Sequence, residues 1–130
     1  MAAAFVSCEA GGARAAVVEA GQRWAASQFE LVRLVTELDA SLKWALDDVV
    51  TCAHWVAGAL DVEVGTAREW LRIGRALRVL PTIATAFEAR RLSYSKVRAL
   101  TRVATAANEV ELCQIAERVP AGRLAHALSA

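Results

Sequence analysis

Thr51-Cys52-Ala53-His54-Trp55-Val56-Ala57-Gly58-Ala59-Leu60-Asp61-Val62-Glu63-Val64-Gly65-Thr66-Ala67-Arg68-Glu69-Trp70-Leu71-Arg72-Ile73-Gly74-Arg75-Ala76-Leu77 is the stretch on which the fold turns. Thr51 is placed to cap a helix through Leu60, because a threonine hydroxyl satisfies a free N–H of the first turn. Asp61-Val62-Glu63 then makes a tight turn into a helix from about Val64 to Val79. A short turn of this kind holds the second helix across the first when the first carries a small residue and the turn tolerates left-handed backbone. Ala57 is the small residue. Asp61, four positions later, accepts the left-handed region better than most residues. Val62, Ala67 and Trp70 supply the locking contacts. Glu63 stands where serine or threonine would cap best, so the second helix is expected to start frayed or shifted. Leu80-Pro81 ends it, since proline disfavours helical geometry in the residue before it.

Working outward, Trp24, Leu31, Val35, Leu38 and Leu42 recur at steps of seven, four, three and four, which lines one face of a long helix from Ala13 to about Ala40. Downstream, Thr82 is placed to cap a fourth helix ending near Arg90, and Ser93 or Ser95 a fifth through Ala104. Asn108 begins a sixth through Val119, and Pro120 starts a seventh to Ala130. Nothing alternates at period two. The expectation is an all-α fold of about seven helices around a helix-turn-helix-like core: a single helical domain over 13–130, preceded by a disordered or fraying 1–12. With 29 alanines among 130 residues, close helix packing on small side chains is favoured. Trp24, Trp44, Trp55 and Trp70 read as core or helix-seam residues.

Composition excludes several classes. An apolar share of 56% with 22% charged residues excludes a disordered chain, and seven Gly with two Pro exclude a collagen-like one. No apolar run reaches the roughly 18 residues of a membrane span. The opening Met1-Ala2-Ala3-Ala4-Phe5-Val6-Ser7-Cys8 has no basic residue before Arg14, unlike an export signal. Cys8, Cys52 and Cys113 are far apart and form no Cys-x-x-Cys, which suggests reduced thiols in the cytoplasm. His54, near Cys52, and His126 do not supply the three or four ligands of a metal site. No cofactor and no small-molecule substrate is indicated.

The net charge of +1 conceals a segregation. Val64 to Val103 holds nine basic residues (Arg68, Arg72, Arg75, Arg78, Arg90, Arg91, Lys96, Arg98, Arg102) against Glu69 and Glu88, a charge of +7, while the remainder carries −6. Such a half suits a polyanion, since cations neutralising phosphates supply most non-specific nucleic-acid affinity. At about 100° per residue, Arg68, Arg72 and Arg75 form one stripe, and Trp70, Ile73 and Leu77 point away from it. Gly74 permits close backbone approach. In the fifth helix Arg98 and Arg102 sit opposite Val97, Leu100 and Ala104, and Tyr94 beside them is a candidate for stacking on a base.

The runs Cys52-Ala53-His54-Trp55-Val56-Ala57, Gly65 to Leu77, Leu80-Pro81 and Leu92-Ser93-Tyr94-Ser95-Lys96-Val97-Arg98-Ala99-Leu100-Thr101-Arg102-Val103-Ala104-Thr105 closely resemble the actinobacterial 13E12 repeat family, whose common domain is domain of unknown function 222. The resemblance extends from about Leu31 to Leu128. Members of that family typically continue into a C-terminal HNH endonuclease and often occur in repeated or mobile genetic elements. One departure is Ser41 to Leu46, where relatives usually carry a glycine-containing polar loop. Another is the nuclease itself: an HNH site needs histidines and an asparagine on a ββα hairpin, whereas His54, His126 and Asn108 all fall on expected helices. The chain therefore resembles the helical half of such a protein, C-terminally truncated relative to the family and not an enzyme.

The order helix-turn-helix, Leu-Pro, short helix, Leu92-Ser93 and a basic helix is also similar, more distantly, to the DNA-binding domain of ParB-type partition proteins, in which the helix after the turn enters the major groove. That resemblance implies Thr66, Arg68, Arg72 and Arg75 as groove or phosphate contacts and Ser95, Lys96, Arg98 and Arg102 as backbone clamps. The expected partner is double-stranded DNA. The alternatives are a protein-interaction module whose +7 half docks on an acidic partner or on the −6 half of a second copy as a homo-oligomer, and a decayed fragment with no retained function.

Overall fold

A computed structural model describes residues 10–129. Those residues form seven α-helices and no strand, as expected. In chain order these are α1 (Ala10–Ser41), α2 (Cys52–Leu60), α3 (Val64–Leu77), α4 (Pro81–Glu88), α5 (Tyr94–Leu100), α6 (Glu109–Arg118) and α7 (Ala121–Ser129). A short 3-10 helix, Lys43–Asp47, links α1 to α2. The expected fraying of 1–12 falls mostly outside the described residues, as does Cys8, but Ala10 to Gly12 are already helical.

The turn between α2 and α3 has the expected chemistry. Thr51 Oγ1 accepts from the His54 N–H at 3.2 Å and caps α2. Asp61 is left-handed at φ 55°, and the next N–H, of Val62, bonds the Ala57 carbonyl at 3.1 Å. Glu63 offers no side-chain cap, yet α3 is not shifted: the Glu63 carbonyl accepts from the N–H groups of Thr66 and Ala67. Leu80 leaves helical geometry (φ −129°, ψ 68°) ahead of Pro81, as a residue before proline should.

Two clusters of buried side chains share one seam. The larger gathers Val32 of α1 and Ile73 of α3 with Ile83, Phe87, Leu92, Val97, Leu100, Cys113 and Leu124 from α4 to α7 and the loop before α5. Phe29 meets Phe87 edge to face at 5.3 Å. The smaller joins Val35 of α1 and Ala67 and Leu71 of α3 to Cys52, Ala53 and Val56 of α2. At the seam, Gly74 of α3 lies so close to α1 that an added Cβ would overlap Thr36 Oγ1. The backbone approach expected at this glycine is therefore real, and Leu71 is a core residue that the Trp70/Ile73/Leu77 face omitted.

Several local expectations are corrected. Trp24 and Leu42 are not buried: they are 65% and 63% exposed, and Leu42 lies beyond the helix at φ 60°. The helix ends at Ser41, close to the expected Ala40, and the chain continues into the 3-10 turn Lys43–Asp47. Thr82 does not cap α4. Its place is taken by Glu109, a carboxylate brought from the start of α6, which accepts the Ile83 N–H at 3.1 Å and is itself buried. A negative charge at a helix N-terminus is stabilised by the unsatisfied amides there. Glu109→Ala is accordingly expected to cost about 1–3 kcal/mol, measured by urea denaturation, because it strands a buried amide and loses the dipole interaction. α5 is capped by Ser93, whose Oγ accepts from the Lys96 N–H, and stops at Leu100 rather than Ala104. Asn108 caps no helical amide, since its Oδ1 takes the Thr105 N–H at 2.6 Å.

Candidate nucleic-acid interface

α3 and α5 both contribute to the larger cluster and are bridged at the surface by the side chains of Glu69 and Arg72. Gly65, Arg68, Glu69, Arg72, Arg98 and Arg102 line a shallow concavity of about 430 Å³. Arg68 and Arg75 also line an adjoining one with Asp39, Trp44, Thr51 and Cys52. Arg68 thus stands in the wall of both, and the five arginines, three on α3, Arg98 on α5 and Arg102 in the turn after it, line one edge.

Glu69, on the stripe but not among the expected contacts, organises this edge. Its carboxylate accepts from Nε of Arg72, from Nε of Arg98 at 2.7 Å and from Nη2 of Arg102 at 2.6 Å. The Glu69 side chain is only 15% exposed, against 55% and 54% for Arg98 and Arg102. The hydrogen bond from Arg72, followed by that from Arg98 and the nearby positive charges, holds the Glu69 carboxyl at about 2 despite burial, which opposes ionisation.

Arg72 has a second task. Nη1 donates to Thr101 Oγ1 at 3.2 Å and Nη2 to the Arg98 carbonyl at 3.3 Å, so it holds the C-terminal end of α5 against α3. Arg75 is tied to α1 through Asp39 Oδ2, at 2.7 Å from Nη2. Arg68 is exposed and makes no ion pair among the described residues. Each guanidinium has five N–H donors, so Arg98, Arg102 and Arg75 keep outward-facing donors after these contacts. Five cations meet two carboxylates, which leaves the edge at +3.

The remaining expected contacts lie outside both concavities. Ser95 is exposed, about 60° from Arg98 around the α5 axis, and lines neither concavity. Lys96 is engaged elsewhere: Nζ donates to the Ala116 carbonyl at 2.6 Å, capping the last turn of α6. Two residues along a helix is a rotation of about 200°, so Lys96 could not share a face with Arg98. Thr66 is exposed in the first turn of α3 and lines neither concavity. Tyr94 is half-buried, hydrogen-bonded to Trp70 and lines a groove beside α1, and it lies within electrostatic reach of Glu69, Arg72 and Arg98.

Both described cysteines, Cys52 and Cys113, are buried. Burial raises the thiol pKa of Cys52 and of Cys113, which keeps both protonated. His54 hydrogen-bonds Thr51 Oγ1 through Nδ1 at 2.6 Å. Among the described residues no three His, Cys, Asp or Glu side chains gather as a metal site, and no helix is long and apolar enough to cross a membrane. No protein-family model, curated protein or solved structure matches the chain.

Proposed function

We propose that the chain is a double-stranded-DNA-binding helical module of the 13E12 repeat kind, which would hold on DNA a nuclease carried by a longer relative. The observation that carries the reading is the edge itself: Arg68, Arg72 and Arg75 of α3, Arg98 of α5 and Arg102 of the turn after α5, around two adjoining shallow concavities. The left-handed Asp61 turn, which sets α3 across α2, supports it. Arg98, Arg102 and Arg75 are the phosphate ligands, because they are more than half exposed and exchange surface ion pairs worth about 0–1 kcal/mol for phosphate contacts. Arg68, in the first turn of α3, is the arginine nearest the groove. Arg72 positions α5, and Ser95 is a backbone ligand.

Titration of random duplex by fluorescence anisotropy at several salt concentrations tests this. If Arg68, Arg75, Arg98 and Arg102 meet phosphates, log affinity falls against log salt with a slope near −3.6. Arg102→Ala is expected to reduce the magnitude of that slope by about one, uniformly across sequences. A flat response, or a slope untouched by Arg102→Ala and Arg98→Ala together, would exclude the reading. The same edge docking on an acidic protein surface would give salt-sensitive association without a duplex shift.

A further inference from the structure

The groove beside α1, about 550 Å³ in volume, is lined by Trp24, Leu31 and Leu34 of α1, Trp70 of α3 and Tyr94 of α5. Ligand clefts are commonly roughly 300–1,000 Å³ and mostly apolar. Two of the four tryptophans and the single tyrosine of the chain meet there. Two of these rings are held in place. Trp70 packs against both buried clusters and Tyr94 against the larger one, and the Trp70 indole donates a hydrogen bond to the Tyr94 hydroxyl. Both are half-buried, so each keeps surface for the groove.

The groove adjoins the arginine edge. Trp70 follows Glu69 on α3, and Tyr94 stands one turn before Arg98 on α5, about 6 Å along the axis. The Tyr94 hydroxyl feels the charges of Glu69, Arg98 and Arg72, and these three residues line the neighbouring concavity. A cationic track beside aromatic rings is the composition of a single-strand site, in which cations follow the backbone and rings stack the bases. Bases of a closed duplex are buried in their own stack and reach no such ring.

We propose that the groove stacks unpaired bases of a DNA strand whose phosphates lie on the arginine edge, so that the preferred partner is duplex interrupted by a single-stranded stretch. The inference rests on the DNA-binding reading above and adds to it the state of the DNA. Charge selects the occupant. A cation is disfavoured because Arg72 and Arg98 stand at the Tyr94 end, and the one acid in the described lining, Glu30, is held by Arg33 at 2.9 Å. A nucleobase is uncharged, offers two flat faces, and arrives tethered to the phosphate that the arginines bind. Ser27 and Gln28, also in the lining, carry hydrogen-bonding groups for its edges.

Fluorescence anisotropy of a short labelled duplex, closed or interrupted by about four unpaired thymidines on one strand, tests the proposal at about 100 mM salt. The interrupted duplex is expected to bind the full chain about tenfold more tightly, the effect of stacking about one base. Abasic residues in place of the thymidines keep the phosphates and the flexibility, and should return affinity to that of the closed duplex. Trp24→Ala, at an exposed position, and Tyr94→Leu are each expected to cut the preference about fivefold. Trp24→Ala should leave circular dichroism and closed-duplex affinity unchanged, and Tyr94→Phe, which keeps the ring, should retain the preference. An abasic interruption bound as tightly as the thymidine one, or a preference indifferent to both ring substitutions, overturns the proposal while the DNA-binding reading stands. So does equal binding of closed and interrupted duplex, which would leave the groove to a protein or a lipid. Failure to bind either DNA overturns both.

Discussion

Glu69→Gln is expected to tighten duplex binding about tenfold near 100 mM salt and to steepen its salt slope by one to two units. In the native protein a single carboxylate faces Arg72, Arg98 and Arg102. Glutamine keeps the shape and one acceptor oxygen but withdraws the charge, so three guanidinium groups turn toward phosphate with one fewer anion to repel it. The same change lowers stability. Glu69 titrates at about 2 in the folded chain, against 4.5 for the unperturbed group. A depressed acid stabilises the fold fully above its unfolded pKa and progressively less as pH falls through its folded one. With its partners more than half exposed, the contribution is about 1–2 kcal/mol near neutral pH. The stability difference between wild type and Glu69→Gln should therefore be present at pH 7, shrink below about pH 4.5, and vanish near pH 2. Weaker or unchanged DNA binding by a folded Glu69→Gln would remove Glu69 as the restraint on the arginine edge.

Gly74→Ala is expected to destabilise the chain by about 3 kcal/mol and to lower the melting temperature by about 10–15 °C. Helix propensity alone argues the other way, since alanine is favoured over glycine by about 1 kcal/mol within a helix. The sign is decided by space. An added Cβ meets Thr36 Oγ1 first and Thr36 Cβ next, and Thr36 is itself buried and fixed by its hydrogen bond to the Val32 carbonyl at 2.6 Å. α1 and α3 must then separate, which opens voids in both clusters at once. Thr36→Ala combined with Gly74→Ala should recover part of the loss, because the hydroxyl is gone but the Cβ remains. Thermal melts of the two single variants and the double variant measure this coupling. A single Gly74→Ala variant as stable as wild type would show that the seam opens at no cost.

The helices were legible because their punctuation is local. Thr51, Asp61, Leu80-Pro81 and Ser93 each act within a few residues, and each lies where its chemistry places it. What could not be read required a partner distant in sequence. Glu109 caps a helix that begins 28 residues earlier, and Asp39 holds Arg75 from another rod. Glu69 is an intermediate case. Its i,i+3 relation to Arg72 is visible in the sequence, but its convergence with Arg98 and Arg102 depends on where the shared cluster sets α3 and α5. Lys96 is different again, because the geometry that removes it from the edge needed only the angle between successive residues. The spacing of apolar residues along α1 implies one face from Trp24 to Leu42, whereas among the described residues only the C-terminal half of the helix is buried. A stripe reports what a helix could pack against, not what covers it.

α1 and α3 each contribute buried side chains to both clusters: Val32 and Ile73 to one, Val35, Ala67 and Leu71 to the other. Among the described residues no other helix does so. Stripping α2 away exposes the flank of the two rods that organise everything downstream, and loosening α4 to α7 exposes the other flank. The two halves are therefore energetically married: neither can melt as an independent foldon, and damage to one is felt as a loss of order in its neighbour.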